Sequence, residues 1–125
     1  MNNELKHSRK PNAVAEKSYD FALNIVRFHQ GFVREQKEYV LSKQLLRSAT
    51  SVGANVEEAV HGYSKKDFRA KLGIAYKEAQ ESKYWLRLLK DSGYIDEKLF
   101  IQLFNQCDEV SRIIYAIMSK TKIEN

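Results

Sequence analysis

Four groups of residues in this sequence have types and spacings that could do chemistry. Glu58-Ala59-Val60-His61 has the Glu-x-x-His spacing that puts a carboxylate and an imidazole on one helix face. A di-iron bundle needs two such motifs plus a glutamate from each of two further helices. Val26 stands three residues before His29, and the Glu4–His7 pair falls in a polar N-terminal stretch expected to be disordered. No metal site is therefore expected, and His61 reads as a surface residue near a helix end. Cys107 falls at an apolar position and reads as an inert core thiol. A single cysteine also excludes a disulfide framework and a cysteine-cluster zinc site. Ser48 and Ser51 have no histidine suitably spaced to act as their base, and there is no glycine-rich phosphate loop. Glu78 and Glu81 lie among apolar residues and would suit acid–base work if their pKa values were raised. The preferred reading is structural, with both carboxylates pairing between helices and Arg47 as their candidate partner. No catalytic residue and no cofactor is expected.

Binding chemistry is better represented. The chain carries 21 Lys and Arg against 16 Asp and Glu, a net charge of +5. The surplus is local: residues 65–92 hold eight cations and four anions. Arg69, Tyr76, Gln80, Lys83, Arg87 and Lys90 follow one position behind an apolar seam, with Lys65 and Lys66 at its start and Lys77 nearby. Cations around an aromatic suit a polynucleotide, neutralising phosphates while the ring stacks on a base. The same pattern also describes a solvated helix face whose long stems cover apolar surface. Both readings stay open at this point.

The elements that position these residues are helices. Val14, Phe21, Ile25, Phe28 and Phe32 mark a first seam. Leu45, Ala49, Val52, Val56, Ala59 and Tyr63 mark a second. Phe68, Leu72, Ala75, Ala79, Ser82, Leu86 and Leu89 mark a third, and Phe100, Leu103, Cys107, Val110, Ile114 and Ile117 a fourth. Steps of three and four keep one face toward a partner helix. Ser42 is expected to cap the second helix, Ser64 with Asp67 the third, and Asp96 the fourth. Gly93 suits the left-handed residue that closes the third. The connections are short, as between antiparallel neighbours. The expectation is an all-α, up-down-up-down four-helix bundle over residues 13–121. A disordered basic tail is expected at 1–12, carrying Lys6, Arg9 and Lys10, and a short tail at 122–125. The 125 residues allow one domain, and no run reaches the ~18 apolar residues that a membrane span needs. The absence of a signal peptide and the single thiol point to the cytoplasm.

A polar stripe runs one position behind the second seam: Gln44, Ser48, Ser51, Asn55, Glu58 and Gly62. Ser, Asn and Gly are mediocre helix formers, so propensity does not explain them. Small residues let a neighbouring helix approach, and their polar heads then bond across the contact. On the third helix, Ile74, Glu78, Glu81, Trp85 and Leu88 form a facing stripe. Apolar residues beyond the seams, among them Val26, Val33, Leu99, Ile101, Ile113 and Met118, exceed what one core needs and point to self-association.

The run from Gln44 to Ala59, QLLRSATSVGANVEEA, resembles the signature of the 23S rRNA intervening-sequence proteins. Ser64-Lys65-Lys66-Asp67-Phe68 resembles the turn that follows in that family, and the order of Ala75, Ala79, Glu81, Trp85–Leu89 and Gly93-Tyr94-Ile95 is similar too. The likeness extends over about residues 14–120. Leu46 departs from it, standing where the family often places the first of two arginines. The resemblance implies a cytoplasmic bacterial protein, a four-helix bundle that assembles as a homopentamer and has no established enzymatic activity. A related accessory protein of diversity-generating retroelements shares the pentameric barrel and binds nucleic acid and a reverse transcriptase.

Two functions remain in view. One is a non-enzymatic oligomer binding RNA or DNA through Lys65, Lys66, Arg69, Tyr76, Lys83, Arg87 and Lys90. The other is an adaptor that docks a protein partner. In both, Arg47, Ser48, Ser51, Asn55, Glu58, Glu78 and Glu81 form a structural or interface motif.

Overall fold

The computed structural model describes the backbone of residues 10–121 and the side chains of 13–121. Four helices follow one another: α1 Lys10–Gln36, α2 Val40–Val60, α3 Lys65–Asp91 and α4 Glu97–Lys120. Each packs antiparallel on the next, and α1 also packs on α4, closing an up-down-up-down bundle. Among the described residues there is no strand. The tail expected at 1–12 lies outside the described residues except for 10–12, which open α1; the tail at 122–125 lies outside them entirely.

The core is built from the expected seams. Phe21, Ile25, Leu45, Val52, Val56, Leu72, Leu86, Leu89, Cys107 and Ile114 are all fully buried. Ser18, Ser42 and Ser111 are also buried. Each donates its hydroxyl to a carbonyl three or four residues earlier in the chain, respectively of Ala15, Glu38 and Asp108. A hydroxyl satisfied in this way can occupy a core position at little cost.

Two boundaries differ from expectation. The second seam stops at Ala59, because α2 ends at Val60 with His61 as its C-terminal cap, leaving Gly62 outside the helix and Tyr63 fully exposed. The N-terminus of α2 is capped by Glu38, not by Ser42. The Glu38 carboxylate accepts from the amides of Val40, Leu41 and Ser42 at 2.8–3.0 Å. A carboxylate is also the better charge for a helix N-terminus, where the dipole is positive.

The other caps are as expected. The Ser64 hydroxyl accepts from the Asp67 amide at 3.0 Å, and the Asp96 carboxylate from the Leu99 amide at 2.8 Å. Gly93 has φ +85°, which a side chain would oppose. Its amide donates to Lys90 and the Tyr94 amide to Leu89, the paired bonds of a Schellman ending. The chain then turns Ile95 into the core and Tyr94 against Phe32. The 27 residues of α3 span about 40 Å, long enough to present one continuous face along the bundle.

Candidate nucleic-acid interface

The polar stripe of α2 meets α3 where the seam residues are smallest. Ser48 and Ser82 are fully buried, with their hydroxyl oxygens 2.8 Å apart. Arg47, just outside them, donates to Glu78 at 3.3 Å and to Glu81. The indole N–H of Trp85 also donates to Glu81, at 2.9 Å. These bonds, Trp85 first and Arg47 second, hold the Glu81 carboxyl below its ordinary pKa. The bond to Glu81 in turn raises the pKa of Arg47. A lowered carboxyl stays ionised, so Glu81 is a poor general acid at neutral pH. Further along the groove, Lys71 pairs with Glu58 at 2.9 Å.

Asn55 and Ser51 are half-buried on the same stripe. The Asn55 amide donates to the Ser51 carbonyl at 2.8 Å, a bond within α2 and not across the helix contact that the stripe suggests. Gln44 is exposed and takes a long bond of 3.4 Å from the Arg47 Nε.

The cations of α3 divide into two sets. Lys83 turns inward toward α4. Its ammonium lies 2.8 Å from Asp108 and over the Phe104 ring, and only 16% of its side chain is exposed. The bond from Lys83 is the largest influence holding Asp108 below the usual carboxylate range. Lys90 lies 4.8 Å from the Phe100 ring centre and 3.6 Å from Glu97. The Arg69 guanidinium donates to the Met118 carbonyl near the end of α4, where the helix dipole is negative. The Arg69 Nε is buried without a partner among the described residues. Tyr76 is half-buried against the core and tilted on Tyr115. Thus Arg69, Tyr76, Lys83 and Lys90 stitch α3 to α4.

The second set faces outward. Lys65, Lys66, Lys77, Gln80 and Arg87 are exposed. Among the described residues no carboxylate comes within ion-pair distance of Lys65, Lys66, Lys77 or Arg87. Between Lys77 and Arg87 stands Tyr84, 47% exposed, with its ring edge-on to Trp85 at 5.0 Å between centroids. Tyr84 was legible as a continuation of this face, seven residues after Lys77 and three before Arg87.

The other groups considered for chemistry are placed apart. His61 is on the surface beside Glu57, far along the chain from the other described histidine, His29. Cys107 is buried against the Ala79 carbonyl, and burial pushes its thiol pKa up to about 12. Among the described residues no His, Cys, Asp and Glu come together as a metal-binding group. No helix among them is long and apolar enough to cross a membrane. Of the apolar residues beyond the seams, Ile74 and Ile101 are exposed, while Val26, Val33, Trp85, Leu88, Leu99, Ile113 and Met118 are half-buried.

The chain matches no curated protein. It is similar to a crystal structure of a protein of unknown function from the S23 ribosomal protein family of Bacteroides thetaiotaomicron. The two are 44% identical, cover 88% of this chain and 98% of that one, and superpose with a TM-score of 0.86. The 23S rRNA-intervening sequence proteins match residues 10–116, a span running from the start of α1 into the last turns of α4, and to that family this chain belongs.

Proposed function

We propose that this protein is a non-enzymatic cytoplasmic homo-oligomer that binds nucleic acid through the outward face of α3. The observation that carries the reading is the exposed set Lys65, Lys66, Lys77 and Arg87, which has no carboxylate partner among the described residues. Cations already neutralised by neighbours would gain little from phosphates; these four keep their full charge for a ligand. No group on this face is placed to read base edges, so contact is through phosphates with little sequence preference. The homopentamer that the family resemblance implies would repeat the face around a ring and multiply a weak contact.

Binding of a labelled mixed-sequence oligonucleotide at ~50 mM and ~200 mM salt tests this, because phosphate contacts weaken steeply over that range. Changing Lys66, Lys77 and Arg87 together to Gln should lower the slope of log affinity against log salt by about 2–3 per protomer. Helicity should be unchanged, since exposed charges contribute little stability. Lys83→Gln serves as the contrast: it removes the more buried of the two cations paired with Asp108, the other being Arg112, and should lower stability while leaving the slope unchanged. Light scattering should give about five times the 14.6 kDa chain mass. Absence of salt-sensitive binding would overturn the nucleic-acid reading. The adaptor reading would then rest on the groove of about 570 Å³ between α1 and α2, lined by Tyr19, Leu23, Val26, Gly53 and Ala54.

A further inference from the structure

We infer that the outward face of α3 is shaped for an unpaired polynucleotide strand, with Tyr84 as the surface on which a base stacks and Lys77 and Arg87 holding the flanking phosphates. The inference rests on the nucleic-acid reading above and narrows its ligand to single strands.

The face is one continuous line. Lys66, Ala70, Gly73, Lys77, Gln80, Tyr84 and Arg87 follow one another in steps of four and three, all on α3. Lys77 lies about 10 Å from Tyr84 along the axis and Arg87 about 5 Å beyond it, at 1.5 Å per residue. The ring therefore has a cation on each side along the line that a strand would take. Ala70 is small and exposed, so a backbone can lie close to the helix just past Lys66, while at Gly73 the Met118 side chain of α4 borders the line.

Tyr84 is also braced. Its ring rests edge-on against Trp85. The Trp85 indole is fixed by its bond to Glu81, and Glu81 is held by Arg47 from α2. An exposed ring that swings freely loses rotamer freedom when a base stacks on it; a braced one loses less. Half of the Tyr84 surface stays open to solvent in this arrangement.

The geometry selects single strands because a duplex keeps its base faces inside, stacked on one another. A ring on a convex helix face meets only sugars and phosphates there. An unpaired strand exposes π faces, and every base has one, so the contact tolerates any sequence. A charged helix face without the ring would bind duplexes equally well.

The test uses the full chain with a ~20-nucleotide single strand and the matching duplex at ~50 mM salt, where phosphate contacts are strong. DNA and RNA strands share the phosphates and base faces at issue, so both are run, and preference for either single strand over its duplex supports the proposal. Tyr84→Ser should weaken single-strand binding by roughly 5-fold or more. It should leave duplex binding and the salt slope unchanged. Tyr84→Phe should bind as the wild type does, because the π face is kept. Circular dichroism checks the fold of both variants. In the unaltered protein, single strand but not duplex should change the Trp85 fluorescence, a reading that needs no variant. Equal affinity for duplex and single strand, or full single-strand affinity in Tyr84→Ser, overturns the inference while the phosphate-binding reading stands. Loss of all salt-sensitive binding in the wild type overturns both.

Discussion

Ser48 of α2 and Ser82 of α3 share one hydrogen bond inside the buried contact between the two helices. The oxygens are 2.8 Å apart and both residues are fully buried. Each hydroxyl has a single proton. Ser82 also lies 2.9 Å from the Glu78 carbonyl, and Ser48 a longer 3.2 Å from that of Leu45. The better-satisfied arrangement has Ser82 donating to Glu78 and Ser48 donating to Ser82. Ser82→Ala then leaves Ser48 free to turn to Leu45 and should cost only about 1 kcal/mol. Ser48→Leu puts a branched side chain where two backbones approach, and overpacking should cost roughly 1–3 kcal/mol or more. Urea unfolding of the two variants checks the order, and an equal cost would mean that the shared bond, and not the space, decides the contact.

Asn55 satisfies its own amide within α2 by donating to Ser51. Asn55→Ala gives up that bond and gains helix propensity, so the two changes offset each other. Stability should move by less than about 1 kcal/mol, read from the thermal midpoint at fixed protein concentration.

Glu81 and Asp108 both have carboxyl pKa values held below their ordinary range, by Trp85 and Arg47 in one case and chiefly by Lys83 in the other. A carboxyl lowered on folding stabilises the native state above its unfolded pKa, about 4 for these side chains, and loses that contribution as pH falls through the folded value. The melting temperature should therefore be level near neutral pH and fall once pH drops below about 4.5. Glu81→Gln should make that fall shallower. The exposed Arg47 limits the gain from its pair to less than about 1 kcal/mol.

Cys107 combines burial with a thiol pKa pushed up to about 12. Only the thiolate reacts with disulfide reagents. At pH 8 the folded protein should show almost no labelling, and the same reagent should react with one thiol per chain once denaturant is added. Prompt labelling of the folded protein would mean that α4 opens locally far more often than its packing allows.

The fold was legible because its signals are local. Apolar residues at steps of three and four place a seam on one side of any helix, whatever it packs against, and Phe21, Leu45, Leu72 and Ile114 are buried as that spacing requires. Ser64, Gly93 and Asp96 were readable for the same reason, since a cap bonds within its own turn. Glu38 was not, because its carboxylate reaches forward over Tyr39 to the amides of Val40, Leu41 and Ser42, and so starts the helix two residues before Ser42. The Arg47 partnership with Glu78 and Glu81 was anticipated from two carboxylates among apolar neighbours, which must find a cation. The sorting of α3's cations was beyond the sequence. Lys83 and Arg87 are one helical turn apart and carry like charge, yet one is paired with Asp108 over the Phe104 ring and the other stands in solvent. Periodicity fixes the direction of each side chain relative to its own helix axis. The rotation of α3 against α4, set by how all the seam residues interlock, determines which of those directions meets a carboxylate and which is left for a ligand.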